Sequence, residues 1–209
     1  MALSLVNVEA VRNAPRSQEP YDYFLGSGIL KDEAIPDLKR DFPQIDKPGY
    51  LTVNEVQLKG TFKTLIDELE SPEFTEEISK KWGQDMHPYP RLTTIMKRSQ
   101  PKYGAIHTDG PSKVMTMLVY MNDDWGTDDG GRLRVLYDGE HFEPYAVEVP
   151  PVMGTVFGFL RSDKSWHGHR PFSGERKVVQ IAWVRNAEEL ERKKSRNKVA
   201  QFFKGILGR

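Results

Sequence analysis

"SWHGHRPFSGERKVVQIAWV", Ser165 to Val184, decides how this chain is read. Its second half is a strand by composition, rich in β-branched and aromatic residues. Successive side chains of a strand point to opposite sides. Arg176, Val178, Gln180 and Ala182 therefore share one face, and Lys177, Val179, Ile181 and Trp183 the other. The second face is apolar beyond Lys177 and is expected to pack under helices. The first is mixed, as a barrel interior lined for a polar ligand is, so Arg176 rather than Lys177 is expected to point inward. The first half carries His167 and His169, two of the chain's five histidines. On an extended segment they point the same way, which leaves open whether both, one or neither binds a metal.

Outward from this stretch the same texture recurs. "RLTTIMKR", "VMTMLVYM", "RLRVLY", "FEPYAVEV" and "MGTVFGFL" are short β-rich runs separated by Gly, Pro, Asn and Asp. About eight regularly spaced strands predict a sandwich, barrel or jelly roll. The segments before them read differently. "GTFKTLIDELE" sets Phe62, Leu65, Ile66 and Leu69 at helical spacing, and "SPEFTEEISKKW" begins a second helix with Ser71 as cap and Pro72 in its first turn. The first fifty residues read as irregular, apart from a short helix near Asp32 to Lys39.

Composition sets the outer limits. At 209 residues, 38% hydrophobic and 29% charged, the chain is long enough for a substantial core and too apolar for disorder. Net charge is zero, which gives no global attraction to nucleic acid. There is no cysteine, which excludes disulfides and thiolate zinc sites. No apolar run is long enough to span a membrane, and no secretory signal opens the chain, so a cytoplasmic location is expected.

The chemistry gathers around "YGAIHTDGPSK". His107 and Asp109 are two apart, so imidazole and carboxylate converge on a strand. His167 follows sixty residues after His107. Two histidines and one carboxylate on a β scaffold are the donor set of a non-haem Fe(II) oxygenase, with open positions for a bidentate co-substrate and O2. A 2-oxo acid with a far carboxylate needs a buried cation, and the planar fork of arginine suits it best. Arg176 is the candidate.

His107-x-Asp109, "WGTDDGGRLRVL", "GTVFGF" and "SWHGHRPFSGERKVVQIAWV" together resemble the Fe(II)/2-oxoglutarate-dependent dioxygenases, in their prolyl-hydroxylase-like branch. The resemblance covers roughly residues 91 to 185. It implies a mainly β double-stranded β-helix, a jelly-roll or cupin-like barrel with flanking helices. It also implies Fe(II) as cofactor, 2-oxoglutarate and O2 as co-substrates, ascorbate as an accessory reductant, and hydroxylation with release of succinate and CO2. His107, Asp109 and His167 match the iron ligands and thus the catalytic centre. Arg176, nine residues after His167, matches the arginine for the far carboxylate. Tyr120 matches a tyrosine that shares that carboxylate, Leu133 an apolar wall, and Gln180 a polar neighbour of 2-oxoglutarate. The strand before His-x-Asp, "TTIMKRS", lacks the tyrosine that prolyl hydroxylases often carry there. Asp109 is intact, which favours oxidation of a C–H bond over halogenation. His169 and Trp166 are candidate substrate contacts.

Residues 1–186 are expected to form the oxygenase domain with its N-terminal helical segment, and 187–209 a basic amphipathic helix. That tail sets Val199, Phe202, Phe203, Ile206 and Leu207 on one face, which suits packing at home, dimerisation or a membrane surface. The substrate is expected to be a small molecule, a glycan or a protein side chain. The competing reading is a non-catalytic jelly-roll module that holds a metal or ligand, but it would not need Arg176 and Asp109 together with both histidines.

Overall fold

The computed structural model describes residues 3–126, 130–192 and 195. The chain begins with α1 (Val8–Asn13), β1 (Arg16–Ser17), β2 (Tyr23–Gly26), α2 (Ile35–Asp41) and β3 (Leu51–Thr52). Then come α3 (Gly60–Leu69) and α4 (Pro72–Trp82). The strands β4 (Arg91–Ser99), β5 (Lys113–Tyr120), β6 (Leu133–Leu136), β7 (Tyr145–Val149), β8 (Val156–Leu160), β9 (His167–Gly168) and β10 (Gly174–Val184) follow.

The helices form where their sequence punctuation places them. Ser71 Oγ accepts from the Phe74 amide at 3.1 Å, Pro72 occupies the first turn, and Gly83, at φ +67°, ends α4 in the left-handed conformation. Phe62, Leu65, Phe74, Ile78 and Trp82 are buried on the inward faces of α3 and α4.

Seven strands form one sheet in the order β1-β2-β8-β5-β10-β4-β3, and three form a second in the order β7-β6-β9. The segment around His107 extends the smaller sheet through an antiparallel bridge to His167. From β4 onward the chain alternates between the sheets, returning once within the small one at β6 and β7. That winding is a double-stranded β-helix. The outer face of the large sheet joins the helical core through Met115, Met117, Val119, Val179, Ile181 and Trp183. Full burial of such side chains stabilises by about 1.5–3 kcal/mol each. Its inner face meets the small sheet across Leu118, Tyr120, Phe157 and Val178 on one side and Leu133, Val135 and Val149 on the other. The two faces expected of β10 are thus those observed.

Two sequence expectations change. The first fifty residues are not irregular: a 3-10 turn (Asp32–Ala34) leads into α2, and α1, β1 and β2 precede it. Strand β2 pairs with β8 from Tyr23↔Phe159 to Gly26↔Val156, so it belongs to the main sheet. Four residues running into Gly-Ser-Gly carry too little alternation to be read as a strand. The strand count also rises, to ten among the described residues, because two-residue strands such as β3 leave no compositional trace.

Residues 187–192 are helical, with Asn186 Oδ1 accepting from the Glu189 amide at 2.9 Å as an N-cap. Leu190 packs against Leu92, Ala182 and Val184, so this helix starts out docked on its own domain. The apolar stripe expected from Val199 to Leu207 lies outside the described residues. Among the described residues no helix is long and apolar enough to cross a membrane.

Candidate metal and co-substrate site

His107, Asp109 and His167 each present one ligand atom, and these atoms lie within 4.8 Å of one another. The arrangement starts in the backbone. His107 donates its amide to the His167 carbonyl at 3.0 Å, and His167 returns the bond at 3.0 Å. This reciprocal pair sets the two imidazoles side by side, with centroids 4.4 Å apart. Each ring is then oriented by its own chain. His107 Nδ1 donates to the Ala105 carbonyl at 2.8 Å and His167 Nδ1 to the Ser165 carbonyl at 2.9 Å. Both bonds leave Nε2 with a free lone pair, the form a metal requires. Burial pushes the His167 imidazole down to about 4, outweighing the opposing pull of Asp109, so the ring is neutral at neutral pH.

Asp109 is buried and held at both oxygens. Lys113 Nζ donates to Oδ1 at 2.7 Å, and Thr116 Oγ1 donates to Oδ2 at 2.5 Å. Burial alone would raise this carboxyl. The Lys113 ammonium, chief among the opposing influences, and the Thr116 hydroxyl hold it well below the usual carboxylate range. Thr116 reaches it because the inner face of β5 carries Thr116, Leu118 and Tyr120. Sequence reasoning passed over Lys113 and Thr116, although both follow Asp109 at short spacing in "DGPSKVMT".

A cavity of about 70 Å³ opens from this triad toward Arg176. Leu133 and Gln180 line it, with Gln180 Nε2 donating to Thr94 Oγ1 at 3.3 Å. Arg176 is 2% exposed. Its Nε donates to the Gly131 carbonyl at 2.9 Å and its Nη2 to the Tyr120 hydroxyl at 3.1 Å. Among the described residues no carboxylate pairs with it. Burial pushes the Tyr120 phenol up to about 12, so it stays neutral and can donate its proton while accepting from Arg176. A bulge in β10 between Glu175 and Val178 re-aims the strand where Arg176 leaves it. Lys177 lies on the other side, against Phe42 and Glu175.

His169 also lines the cavity, on the same side as His167, but lies outside the cluster of ligand atoms. Its Nδ1 donates to the Arg170 carbonyl at 2.9 Å, and its ring lies against Gly104, where any side chain would collide with it. Trp166 is not brought to the cavity. Its ring packs against Gly139 in the β6–β7 turn, because it precedes His167 and so points away from the barrel. His87 and His141 are exposed, beside Glu76 and Asp138 respectively. Further wall residues escaped sequence reasoning, among them Tyr50, Met96, Leu118 and Phe159, and Tyr103 joins them from the segment after β4. Tyr50 lies in the arm before β3, outside the barrel.

The donor set fits a divalent iron, and the buried, unpaired cation at the other end of the cavity fits the far carboxylate of a 2-oxo diacid. Residues 94–185 match the family model of the 2OG-Fe(II) oxygenase superfamily. Similar solved structures include three prolyl hydroxylases. A Pseudomonas putida prolyl-4-hydroxylase aligns at 16% identity and TM-score 0.56, over 86% of this chain and 97% of that one. A prolyl 4-hydroxylase from Phytophthora capsici aligns at 18% identity and TM-score 0.56, over 87% of this chain and 63% of that one. The viral collagen prolyl hydroxylase of Paramecium Bursaria Chlorella virus-1, solved as its 2OG complex, aligns at 18% identity and TM-score 0.51, over 79% and 96%. At these identities the likeness establishes the fold. No curated protein sequence matches the chain.

Proposed function

We propose that this chain, whose residues 94–185 match the 2OG-Fe(II) oxygenase family model, uses Fe(II), 2-oxoglutarate and O2 to hydroxylate a C–H bond of its substrate. Succinate and CO2 are the co-products. The observation that carries this reading is one cavity with the His107–Asp109–His167 cluster at one end and the unpaired guanidinium of Arg176 at the other. A module that only stored a metal would gain nothing from a buried cation across the cavity, and burying one is costly without an anion to meet it.

Bound iron supplies the oxidising power, drawing on 2-oxoglutarate and O2. The chain's own residues supply position. His107 and His167 offer Nε2 because their Nδ1 protons are committed to backbone carbonyls. Asp109 is kept ionised and fixed in rotation by Lys113 and Thr116. Arg176, with Tyr120 beside it, receives the far carboxylate. Leu133 forms the apolar wall that excludes water, and Gln180 offers a polar contact along the cavity. His169 faces the substrate from the same rim as His167.

The narrow cavity favours a small molecule or a glycan that inserts one group. The second reading is a prolyl side chain in a protein, favoured by the likeness to the P. putida prolyl-4-hydroxylase over nearly all of that chain. The test is succinate release with Fe(II), 2-oxoglutarate and O2, coupled to mass spectrometry of small-molecule and peptide fractions for an enzyme-dependent gain of one oxygen. Purified protein that neither binds 2-oxoglutarate nor forms succinate with either fraction overturns the reading.

A further inference from the structure

The chamber around Arg176 is not closed by the barrel alone. One wall is Tyr50, which lies outside the stretch matching the family. Register explains how it gets there. Leu51 pairs with Ile95, and both face the helical core. Thr52 pairs with Thr94, which faces the barrel interior toward Gln180. By strand parity the residue before Leu51 also faces inward. It sits beside Met96, which lines the same cavity.

The arm is fastened on both sides of Tyr50. The Gly49 amide donates to the Arg98 carbonyl at 2.9 Å, and the Tyr103 hydroxyl to the Pro48 carbonyl at 3.2 Å. Gly49, at φ +99°, lets the chain turn where a Cβ would meet the Tyr103 oxygen at 2.7 Å. On the other side Glu55 accepts from the Thr52 amide and hydroxyl, each at 2.7 Å. Between these fastenings the Tyr50 phenol lines the cavity together with Arg176, and its oxygen meets the guanidinium. A phenol beside a buried cation, with a proton to give and an empty space before it, is suited to an anion.

We infer that Tyr50 is a co-substrate-binding residue delivered from outside the barrel, donating with Arg176 and Tyr120 to the far carboxylate of 2-oxoglutarate. The arm from Pro43 to Thr52 thus completes the co-substrate chamber in place of the tyrosine that β4 lacks. The inference rests on the proposed co-substrate role of Arg176.

The test uses the full chain loaded with Mn(II) under anaerobic conditions, with calorimetric titration of 2-oxoglutarate and of pyruvate, a 2-oxo acid without a far carboxylate. Tyr50→Phe removes one oxygen and keeps the ring. It should weaken 2-oxoglutarate about tenfold, the scale of a hydrogen bond to a charged group. Pyruvate and Mn(II) affinities should stay unchanged. Equal 2-oxoglutarate affinity in Tyr50→Phe and the parent, while Arg176→Met loses it, overturns the inference and leaves the functional reading standing. Unchanged affinity in Arg176→Met overturns both. Equal weakening of pyruvate and 2-oxoglutarate in Tyr50→Phe makes the tyrosine a structural wall and also overturns the inference.

Discussion

Replacing Arg176 by methionine isolates the end of the site that faces away from the metal. A guanidinium has five N–H donors, and here one goes to Gly131 and one to Tyr120. Enough remain for a two-point contact with a carboxylate. Charge-assisted hydrogen bonds contribute about 1.5–3 kcal/mol each, so two are worth about 3–6 kcal/mol. At about 1.4 kcal/mol per decade, Arg176→Met should weaken 2-oxoglutarate by about a hundredfold to ten-thousandfold. The unliganded protein should hardly notice. Gly131 loses a donor, at about 1–3 kcal/mol, but a buried charge without a carboxylate partner is removed as well, which offsets that cost. Calorimetric titration of the Mn(II)-loaded protein measures the affinity, with pyruvate as control, and differential scanning calorimetry measures stability. An affinity for 2-oxoglutarate within threefold of the parent, or an equal loss for pyruvate, would refute the assignment of Arg176 to the far carboxylate.

Other outcomes follow from the same geometry. His167→Ala should abolish Mn(II) binding and iron-dependent turnover while His169→Ala keeps metal binding; electron paramagnetic resonance titration reads both, and the reverse order would move the centre by two residues. Thr116→Val removes the donor to Asp109 Oδ2 and should weaken metal binding by about 10–100-fold with the fold intact; an unchanged metal affinity contradicts the positioning role. The Arg12 guanidinium, 2.5 Å from Glu77, holds that carboxyl down to about 2. Its stabilisation is complete above the unfolded pKa of about 4.3 and fades as pH falls toward 2. Glu77→Gln should therefore lower Tm at pH 7, by the equivalent of no more than about 1 kcal/mol because solvent screens the pair. The gap should narrow between pH 5 and pH 2.5, and a gap that widens on acidification speaks against the assignment.

What could be read in advance was what depends on local alternation. Arg176 and Lys177 were separable because seven residues of strand follow them, with one clearly apolar face. His107 and Asp109 converge at a spacing of two, and the start of α4 is marked by Ser71 and Pro72. Features set by pairing partners left no such mark. The inward aim of Tyr50 depends on a two-residue strand whose parity comes from Ile95 and Thr94, more than forty positions away. Strand β2 is short and ends in glycines, so only its ladder with β8 shows that it belongs to the sheet. The pairing of His107 with His167 is a backbone exchange, and backbone exchanges carry no side-chain signature.

The N-terminal strands have a consequence for how the oxygenase could be used in isolation. Strand β2 covers the free side of β8, and the two-residue β3 covers part of β4. A chain cut at Thr94, where the family-model match begins, would bare the row of amide and carbonyl groups along β8 and the short stretch of β4 that β3 pairs. It would also strip the helices from Met117, Val179 and Trp183. Open strands beside bare apolar surface recruit copies of themselves. The catalytic barrel is therefore not a transplantable cassette, and its first ninety residues act as a solubility jacket as well as a wall of the chamber.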